Sequence, residues 1–343
     1  MRKRPAGLVL GLTLAVVAAA CGNGQDGAEV PDGEGPVTVY SGRSEELVGP
    51  IIEQFEESSG VDVEVRYGDT AELAAQILEE GGNSPADIFF AQDAGALGAL
   101  ASAGRFASLP DETLEQVPDA YRSPDGLWVG TSGRARVLVY NVEAVEESAL
   151  PDSVLDLIGD AWSGRVGWAP TNGSFQAFIT ALRLVEGEDE ARAWLEGMEA
   201  GGAQDYEGNS QIVQAVAAGE IDAGLVNHYY LLELGSEDAS IKENAANHFF
   251  QDGDVGSIVN AAGVGIIEGS DAPQGAQAFV DFMLSRTGEQ YFDEEVYEYP
   301  LSGDLSQDPS LPDLDEIQQP DIDLSDLSDL EGTLALLRDT GVL

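Results

Sequence analysis

The sequence predicts an α/β protein in which two lobes are joined by long crossing strands. Between residues 37 and 90, buried strand patterns alternate with amphipathic helix patterns, which is typical of a parallel α/β sheet. A second series of helices and strands begins near residue 161. Two strand-like runs between the series, 128–130 and 136–140, are candidates to cross from one lobe to the other. The 343-residue chain is long enough for each lobe to bury its own core.

The first predicted strand is Val37–Tyr40, a short run rich in β-branched and aromatic residues. A helix is predicted after it because apolar residues recur at helical spacing and share one face. The Gly49-Pro50 pair is expected to kink that helix or restart it, because proline cannot donate the backbone hydrogen bond of a helix interior. The shared face consists of Leu47, Ile51, Ile52 and Phe55.

The first lobe continues with a strand, a helix and a third strand. Alternating apolar and polar residues over Val61–Tyr67 predict the second strand. The helix after it is predicted to be capped by Asp69 or Thr70 and to stop at Gly81-Gly82. Asp87–Phe90 is predicted to form the third strand, which completes the pattern of a parallel α/β sheet.

The second lobe is predicted to place polar residues at the end of a buried strand, 221–226. Open α/β sheets place ligands beyond the carboxyl ends of their strands, and clefts between lobes are favoured ligand sites. The other elements expected after residue 160 are helices at 175–185, 188–198 and 211–218, a return strand at 260–267, a helix at 273–284, an irregular tail at 302–329 and a last helix at 330–337.

The amino-terminal residues have the layout of a secretory signal. Three basic residues within the first four positions precede a short apolar run that ends in small residues, so residues 1–20 are predicted to be a signal peptide. Cys21, the only cysteine, is predicted to be a lipid-attachment site, with cleavage beside an inert thiol as the alternative. The glycine-rich, acidic residues 21–35 are predicted to be a flexible linker.

The charge of the chain excludes several classes of partner. There are 63 acidic and 15 basic side chains, for a formal net charge of -48. Such a surface repels nucleic acid and anionic lipid. Contact with a membrane is therefore expected only through the lipid anchor.

Tyr229 and Tyr230 are the residues that most directly indicate a functional site. An unperturbed phenol has a pKa of about 10, but a small, highly charged cation can displace its proton and hold it as a phenolate. Two adjacent tyrosines after a buried strand therefore indicate a ferric site. A half-buried packing pair at the start of an apolar helix is the alternative.

Polar residues open three helices in the second lobe. Unpaired backbone N–H groups at a helix start suit an anion, although ordinary helix capping is the alternative interpretation. Together these positions predict one shared anion site, whose candidate residues are Asn172, Gly173, Ser174, Asn209 and Asn227.

Arg43 and Arg134 are further candidates because cations are rare in this chain. A guanidinium can grip a carboxylate or carbonate with two parallel hydrogen bonds. Structural ion pairs with some of the many acidic residues are the alternative. The sequence contains no HExxH, GxSxG, GxGxxG or P-loop motif, so zinc hydrolysis, serine hydrolysis and nucleotide binding have no support.

With these residues the chain resembles the ferric iron-binding proteins of bacterial ABC importers. The resemblance covers nearly all of 37–343 and implies a two-lobed, periplasmic-binding-protein-like type II fold. Each lobe would be a mixed sheet flanked by helices, with crossing strands as the hinge. The segments that carry the resemblance are 39–43, 84–89, 132–140, 206–210, 227–230 and 298–301.

The resemblance implies that Tyr229 and Tyr230 are phenolate ligands to Fe(III). It also implies that the five polar helix-start residues hold a synergistic anion, which would be carbonate, phosphate or citrate. Two phenolates leave a trivalent ion with one positive charge, which the anion would neutralise.

The first lobe departs from the family pattern at two ligand positions. Ser44 and Gln92 stand where some relatives have a histidine and a glutamate. Asp93, next to Gln92, is one candidate substitute, and carbonate held by Arg43 and Arg134 is another. A ferric chelate is a third alternative.

The function implied by the resemblance is that of an extracytoplasmic, membrane-anchored lipoprotein, a monomer and not an enzyme, that delivers ferric iron to an ABC permease and its ATPase. The first lobe would comprise 36–136 and 268–343, and the second 137–267. One alternative is a related binding protein for an organic anion or a ferric chelate. A secreted hydrolase that uses paired carboxylates is another.

Overall fold

A computed structural model describes residues 35–303 and 311–343 of the chain. The predicted signal peptide, Cys21 and nearly all of the predicted linker lie outside these described residues. Within them, no helix is both long and apolar enough to cross a membrane.

Helices account for much of the described chain. In order, they are α1 (Glu45–Ser59), α2 (Thr70–Glu80), α3 (Ala94–Ser102), α4 (Asp111–Leu114), α5 (Gly173–Val185), α6 (Glu188–Ala200), α7 (Asn209–Ala217), α8 (Tyr229–Glu237), α9 (Ala239–Asn244), α10 (Pro273–Met283), α11 (Arg286–Glu294) and α12 (Leu330–Asp339).

The strands form one ten-stranded mixed sheet with the order β2-β1-β3-β9-β4-β7-β5-β6, and β8 and β10 also pair with β4. The strands are β1 (Val37–Ser41), β2 (Val63–Tyr67), β3 (Ile88–Ala91), β4 (Val129–Asn141), β5 (Val166–Trp168), β6 (Gln204–Asp205), β7 (Ala223–Asn227), β8 (Ala245–His248), β9 (Val259–Ile266) and β10 (Tyr299–Pro300).

Strand β4 joins the two parts of the sheet. All of its 13 residues are buried. Its first half, up to Ala135, pairs with β9, and its second half, from Arg136, pairs with β7 and β8. The two crossing runs predicted from the sequence are therefore one continuous strand. The predicted α/β class is confirmed, with β1, β2 and β3 parallel as expected.

Most predicted elements lie within two or three residues of their observed bounds. The side chain of Asp69 caps α2 by accepting hydrogen bonds from the N–H groups of Ala71 and Glu72, as predicted. The predicted restart at Pro50 is wrong, because α1 runs through it. Pro50 lies in the second turn, so the backbone bond that it removes is the one to the carbonyl of Glu46.

The carboxyl-terminal segment, 311–343, packs on helices beside both parts of the sheet. Its turn at Leu324–Ser328 packs on α3, and α12 packs on α5. The buried hydroxyls of Thr180 on α5 and Thr333 on α12 are 2.7 Å apart.

The predicted lobe boundaries stay a prediction. They assign 268–343 to the first lobe and β9 to the second, whereas β9 pairs only with β3 and with the first half of β4. These pairings favour a return to the first lobe before Val259 rather than after residue 267.

We expect Gly98→Ala to lower the free energy of unfolding, measured by urea denaturation, by about 1–3 kcal/mol. A methyl group at this position of α3 would lie 2.3 Å from the carbonyl oxygen of Ser325, so helix and segment would have to separate. Gly82→Ala is the control, because no atom lies within 4 Å of a methyl group there. Equal stability of the two variants would contradict this close packing.

Candidate functional site

The two tyrosines lie side by side at the carboxyl end of β7. That strand ends at Asn227, and α8 begins at Tyr229. The rings of Tyr229 and Tyr230 are stacked, with centroids 4.2 Å apart and an interplanar angle of 27°. Burial, with the neighbouring Tyr230 and Glu298, raises the pKa of Tyr229 well above its ordinary value. Without a cation, Tyr229 is therefore a neutral phenol.

Arg136 lies beside the tyrosines on the crossing strand β4. Its Nη1 donates to the side-chain oxygens of Asn209 and Asn227, both at 3.3 Å, and its Nη2 donates to the carbonyl of Leu225 at 2.9 Å. Among the described residues, Arg136 forms no ion pair with a carboxylate. Burial lowers the pKa of Arg136 to about 9. The guanidinium is therefore a buried cation held only by neutral groups.

Arg134 is a second buried arginine, two residues earlier on β4. Its Nη2 donates to the carbonyl of Gln92, whereas Nε and Nη1 are buried without a hydrogen-bond partner. Burial lowers the pKa of Arg134, and the nearby charge of Glu298 opposes that shift. A small pocket lies between the two guanidinium groups, and its lining consists of Arg134, Arg136, Ser174, Ala177, Phe178, Asn227, Ile258 and Asn260.

The start of α5 lies at the same pocket. Asn172 caps this helix, since its side-chain oxygen accepts from the N–H groups of Ser174 and Phe175 at 3.0 and 3.4 Å. The side-chain amide of Asn227 donates to the hydroxyl of Ser174 at 3.1 Å. Space remains open next to Gly173, where an added methyl group would meet no atom within 4 Å. The capping bonds, weighed above as the alternative, are thus present at Asn172, and Ser174 lines the pocket with the two arginines.

Asn209 completes this group at the start of α7. Its oxygen accepts from Arg136, and its side-chain N–H group is buried without a partner. The structure therefore brings the predicted anion residues of three helix starts together around Arg136, although the role of each remains a prediction.

Arg43 has a different environment from the other two arginines. Its Nη2 lies 3.0 Å from both carboxylate oxygens of Glu298, and both side chains of this ion pair are fully buried. The hydroxyl of Ser132 also donates to Glu298, at 2.5 Å. The residue before this glutamate, Tyr297, has a φ of 58°, a left-handed conformation that is uncommon for a side chain of this size. The structural ion pair, weighed above as the alternative for arginine, is thus present at Arg43.

His228 lies next to Tyr229 and is bonded to the crossing strand. Its Nδ1 accepts a hydrogen bond from the N–H of Ala135 at 3.2 Å, and its ring lies 4.6 Å from that of Tyr299. Burial lowers the pKa of His228 to about 4, so the imidazole is neutral at physiological pH. It therefore adds no positive charge beside the phenols.

Two of the three first-lobe candidates, Gln92 and Asp93, make hydrogen bonds to neighbouring protein groups. Ser44 is exposed at the start of α1, where its side chain makes no capping bond. Asp93 caps α3 by accepting from the N–H of Ala96 at 3.0 Å, and burial raises the pKa of Asp93. The backbone of Gln92 bonds to Thr70 and Arg134. Within the described residues, no group of three or more His, Cys, Asp or Glu side chains forms a metal site.

Sequence reasoning missed three residues of this site: Arg136, Asn260 and Glu298. Arg136 and Glu298 belong to segments that carry the family resemblance, but neither has a motif that distinguishes it from other charged residues. An arginine directly before the apolar run 137–140 was the available signal, because an arginine is rarely fully buried without a partner. Asn260 shows no such signal in the sequence.

Comparison with known proteins identifies the class of protein that this fold and site define. A model of the family described as bacterial extracellular solute-binding protein matches residues 83–325. The match covers most of the chain, and the chain belongs to this family.

Several relatives are similar over nearly their whole length. The Fe(3+)-binding periplasmic protein of Serratia marcescens is 31% identical over 92% of this chain and 94% of the relative. The major ferric iron-binding protein of Neisseria gonorrhoeae is 32% identical over 89% of this chain and 93% of the relative.

Solved structures agree with the fold. Iron-bound HitA from Pseudomonas aeruginosa is 36% identical with a TM-score of 0.82, and the match covers 90% of this chain and 99% of HitA. Trichodesmium FutA in complex with iron and citrate ligands is 28% identical with a TM-score of 0.78 over 90% of this chain and 99% of FutA. The predicted two-lobed periplasmic-binding-protein fold is confirmed.

Proposed function

We propose that the chain is an extracytoplasmic binding protein that takes up ferric iron between its two lobes. The observation that carries this proposal is the stacked pair Tyr229-Tyr230 at the end of β7, beside buried arginines that lack acidic partners. Similar proteins from Serratia marcescens and Neisseria gonorrhoeae carry iron-binding names, which supports the same cargo here.

The phenols of Tyr229 and Tyr230 would bind Fe(III) as phenolates. Each must first lose its proton, and a trivalent cation lowers the free energy of the deprotonated form enough to drive that loss. Neutral His228 beside Tyr229 avoids repulsion of the arriving cation. The two phenols would become anionic as iron binds.

A synergistic anion would occupy the pocket between Arg134 and Arg136. Two guanidinium groups without carboxylate partners carry a large desolvation cost, which an anion offsets. The N–H groups at the start of α5, with Asn209 and Asn227, would supply hydrogen bonds to it. Carbonate, phosphate and citrate all have the required chemistry, and a FutA structure contains iron with citrate.

Delivery would follow the route expected for a solute-binding protein. Cys21 would carry the lipid that anchors a monomer to the membrane, and residues 21–35 would act as its tether. Closure of the lobes about β4 would enclose the iron, which an ABC permease and its ATPase would then receive. We propose no catalytic activity, in line with the binding-protein names of the relatives.

Replacement of both tyrosines by phenylalanine should abolish iron binding. Wild-type protein titrated with ferric citrate should develop a visible phenolate-to-iron charge-transfer band, and Tyr229→Phe/Tyr230→Phe should not. Tyr67→Phe, on the edge strand β2, is the matched control and should keep the band. A wild-type protein without any such band would refute the proposed function.

Loss of the Arg136 guanidinium should remove the response of the iron-free protein to anions. Phosphate or carbonate should raise the melting temperature of the wild type by about 5 °C relative to chloride at equal ionic strength, because the bound anion neutralises buried cations. Arg136→Met should lose this shift, whereas Arg136→Lys, which keeps the charge, should retain part of it. An unchanged anion response in Arg136→Met would place the anion elsewhere.

Iron affinity should rise steeply with pH. Burial raises the pKa of Tyr229, and an ordinary phenol has a pKa of about 10, so iron competes with protons and loses affinity as the pH falls. Release of one proton from each phenol predicts an increase of about two log units of association constant per pH unit. Competition with citrate between about pH 6 and 8, corrected for the protonation of citrate, measures this slope. A flat profile would contradict binding as phenolates.

A further inference from the structure

Helix α8 carries a carboxylate one turn after the two tyrosines. Glu233 follows Tyr229 by four positions and Tyr230 by three, which are the spacings at which helix side chains become neighbours. Side chains in a helix lean towards its amino terminus, so a residue covers the turn before its own Cα. Glu233 therefore shares a face of α8 with both tyrosines, one turn further along the helix.

Glu233 has no compensating partner. Among the described residues its carboxylate makes no hydrogen bond or ion pair, although its side chain is only partly withdrawn from solvent. The negative charges of Glu237 and Glu298 both oppose its own, and burial with these two charges raises the pKa of Glu233. Glu298 also acts on the phenol of Tyr229. Glu233 and Tyr229 are therefore within electrostatic reach of the same buried carboxylate.

This arrangement is unfavourable in the empty protein and becomes favourable with a cation. A carboxylate facing two phenols and a second carboxylate gains nothing from its neighbours, whereas a bound trivalent ion would attract all of these groups. Each candidate from the first lobe lacks a free side-chain carboxylate: Ser44 is a hydroxyl, Gln92 is an amide and Asp93 caps α3.

We propose that Glu233 supplies a third anionic oxygen ligand to the ferric ion, so that one turn of α8 provides both phenolates and a carboxylate. The inference rests on the proposed function. Two phenolates and one carboxylate balance the three positive charges of Fe(III). The anion in the pocket then neutralises Arg134 and Arg136 rather than the metal. Binding exchanges two phenol protons for iron and involves no change of oxidation state.

The test compares Glu233→Gln with Glu237→Gln. Both changes remove one exposed negative charge from α8, but Glu237 lies a further turn from the tyrosines. In competition with citrate at about 0.15 M salt, where long-range attraction is screened, Glu233→Gln should lose about 10- to 100-fold in iron affinity. Its charge-transfer band should shift, because loss of an anionic ligand changes the energy of the iron orbitals. Glu237→Gln should match the wild type within about twofold in affinity.

The outcomes separate this inference from the proposed function. A wild-type band with Glu233→Gln indistinguishable from Glu237→Gln would refute the role of Glu233 and leave phenolate binding intact. An absent wild-type band would refute the proposed function itself. Loss of affinity without a shift of the band would also overturn the assignment, because Glu233 would then act only as a nearby charge and not as a ligand. Thermal unfolding of the iron-free variants controls for folding, and Glu233→Gln should be at least as stable as the wild type.

Discussion

The proposed site depends on two buried arginines of β4 that form no ion pair among the described residues, in a chain with a net charge of -48. Arg134 and Arg136 line a small pocket. Neutral oxygens of Gln92, Asn209 and Leu225 accept hydrogen bonds from some of their N–H groups. Desolvated guanidinium groups are costly unless an anion compensates them. In the proposed function, the helix starts and amide side chains around the pocket would donate hydrogen bonds to that anion.

Arg43, a third buried arginine nearby, has a different environment. Arg43 is neutralised by Glu298, which also accepts from Ser132. That ion pair fastens the segment before β10 to the turn after β1, and the Ser132 bond fastens it to the crossing strand. Glu298 also places a negative charge within reach of Tyr229. Arg43 is thus neutralised by a carboxylate, whereas Arg134 and Arg136 form no ion pair among the described residues. His228 beside Tyr229 is neutral, so it adds no positive charge there.

The sequence predicted most of the fold, because its apolar periodicity is local information. It located the strand before Tyr229 and the cap at Asp69 within a few residues. Of its two alternatives at Pro50, a kink or a restart, the restart was wrong, because the effect of proline depends on its position within the helix, and the sequence did not predict α11. The packing of α12 on α5 could not be read from the chain either, because contacts between residues as distant as Thr180 and Thr333 leave no periodic pattern.

By itself, the sequence determined the α/β class, the predicted secretory address, the tyrosine pair and the polar helix starts, since each follows from neighbouring residues. Only the tertiary structure decided which charges are paired. It joined Arg43 to Glu298, 255 positions away, and left Arg136 without an acid among the described residues. The energy of a buried charge depends on its surroundings in space. For that reason, composition could nominate Arg43 and Arg134 but could not show that only Arg43, of these two, forms an ion pair among the described residues.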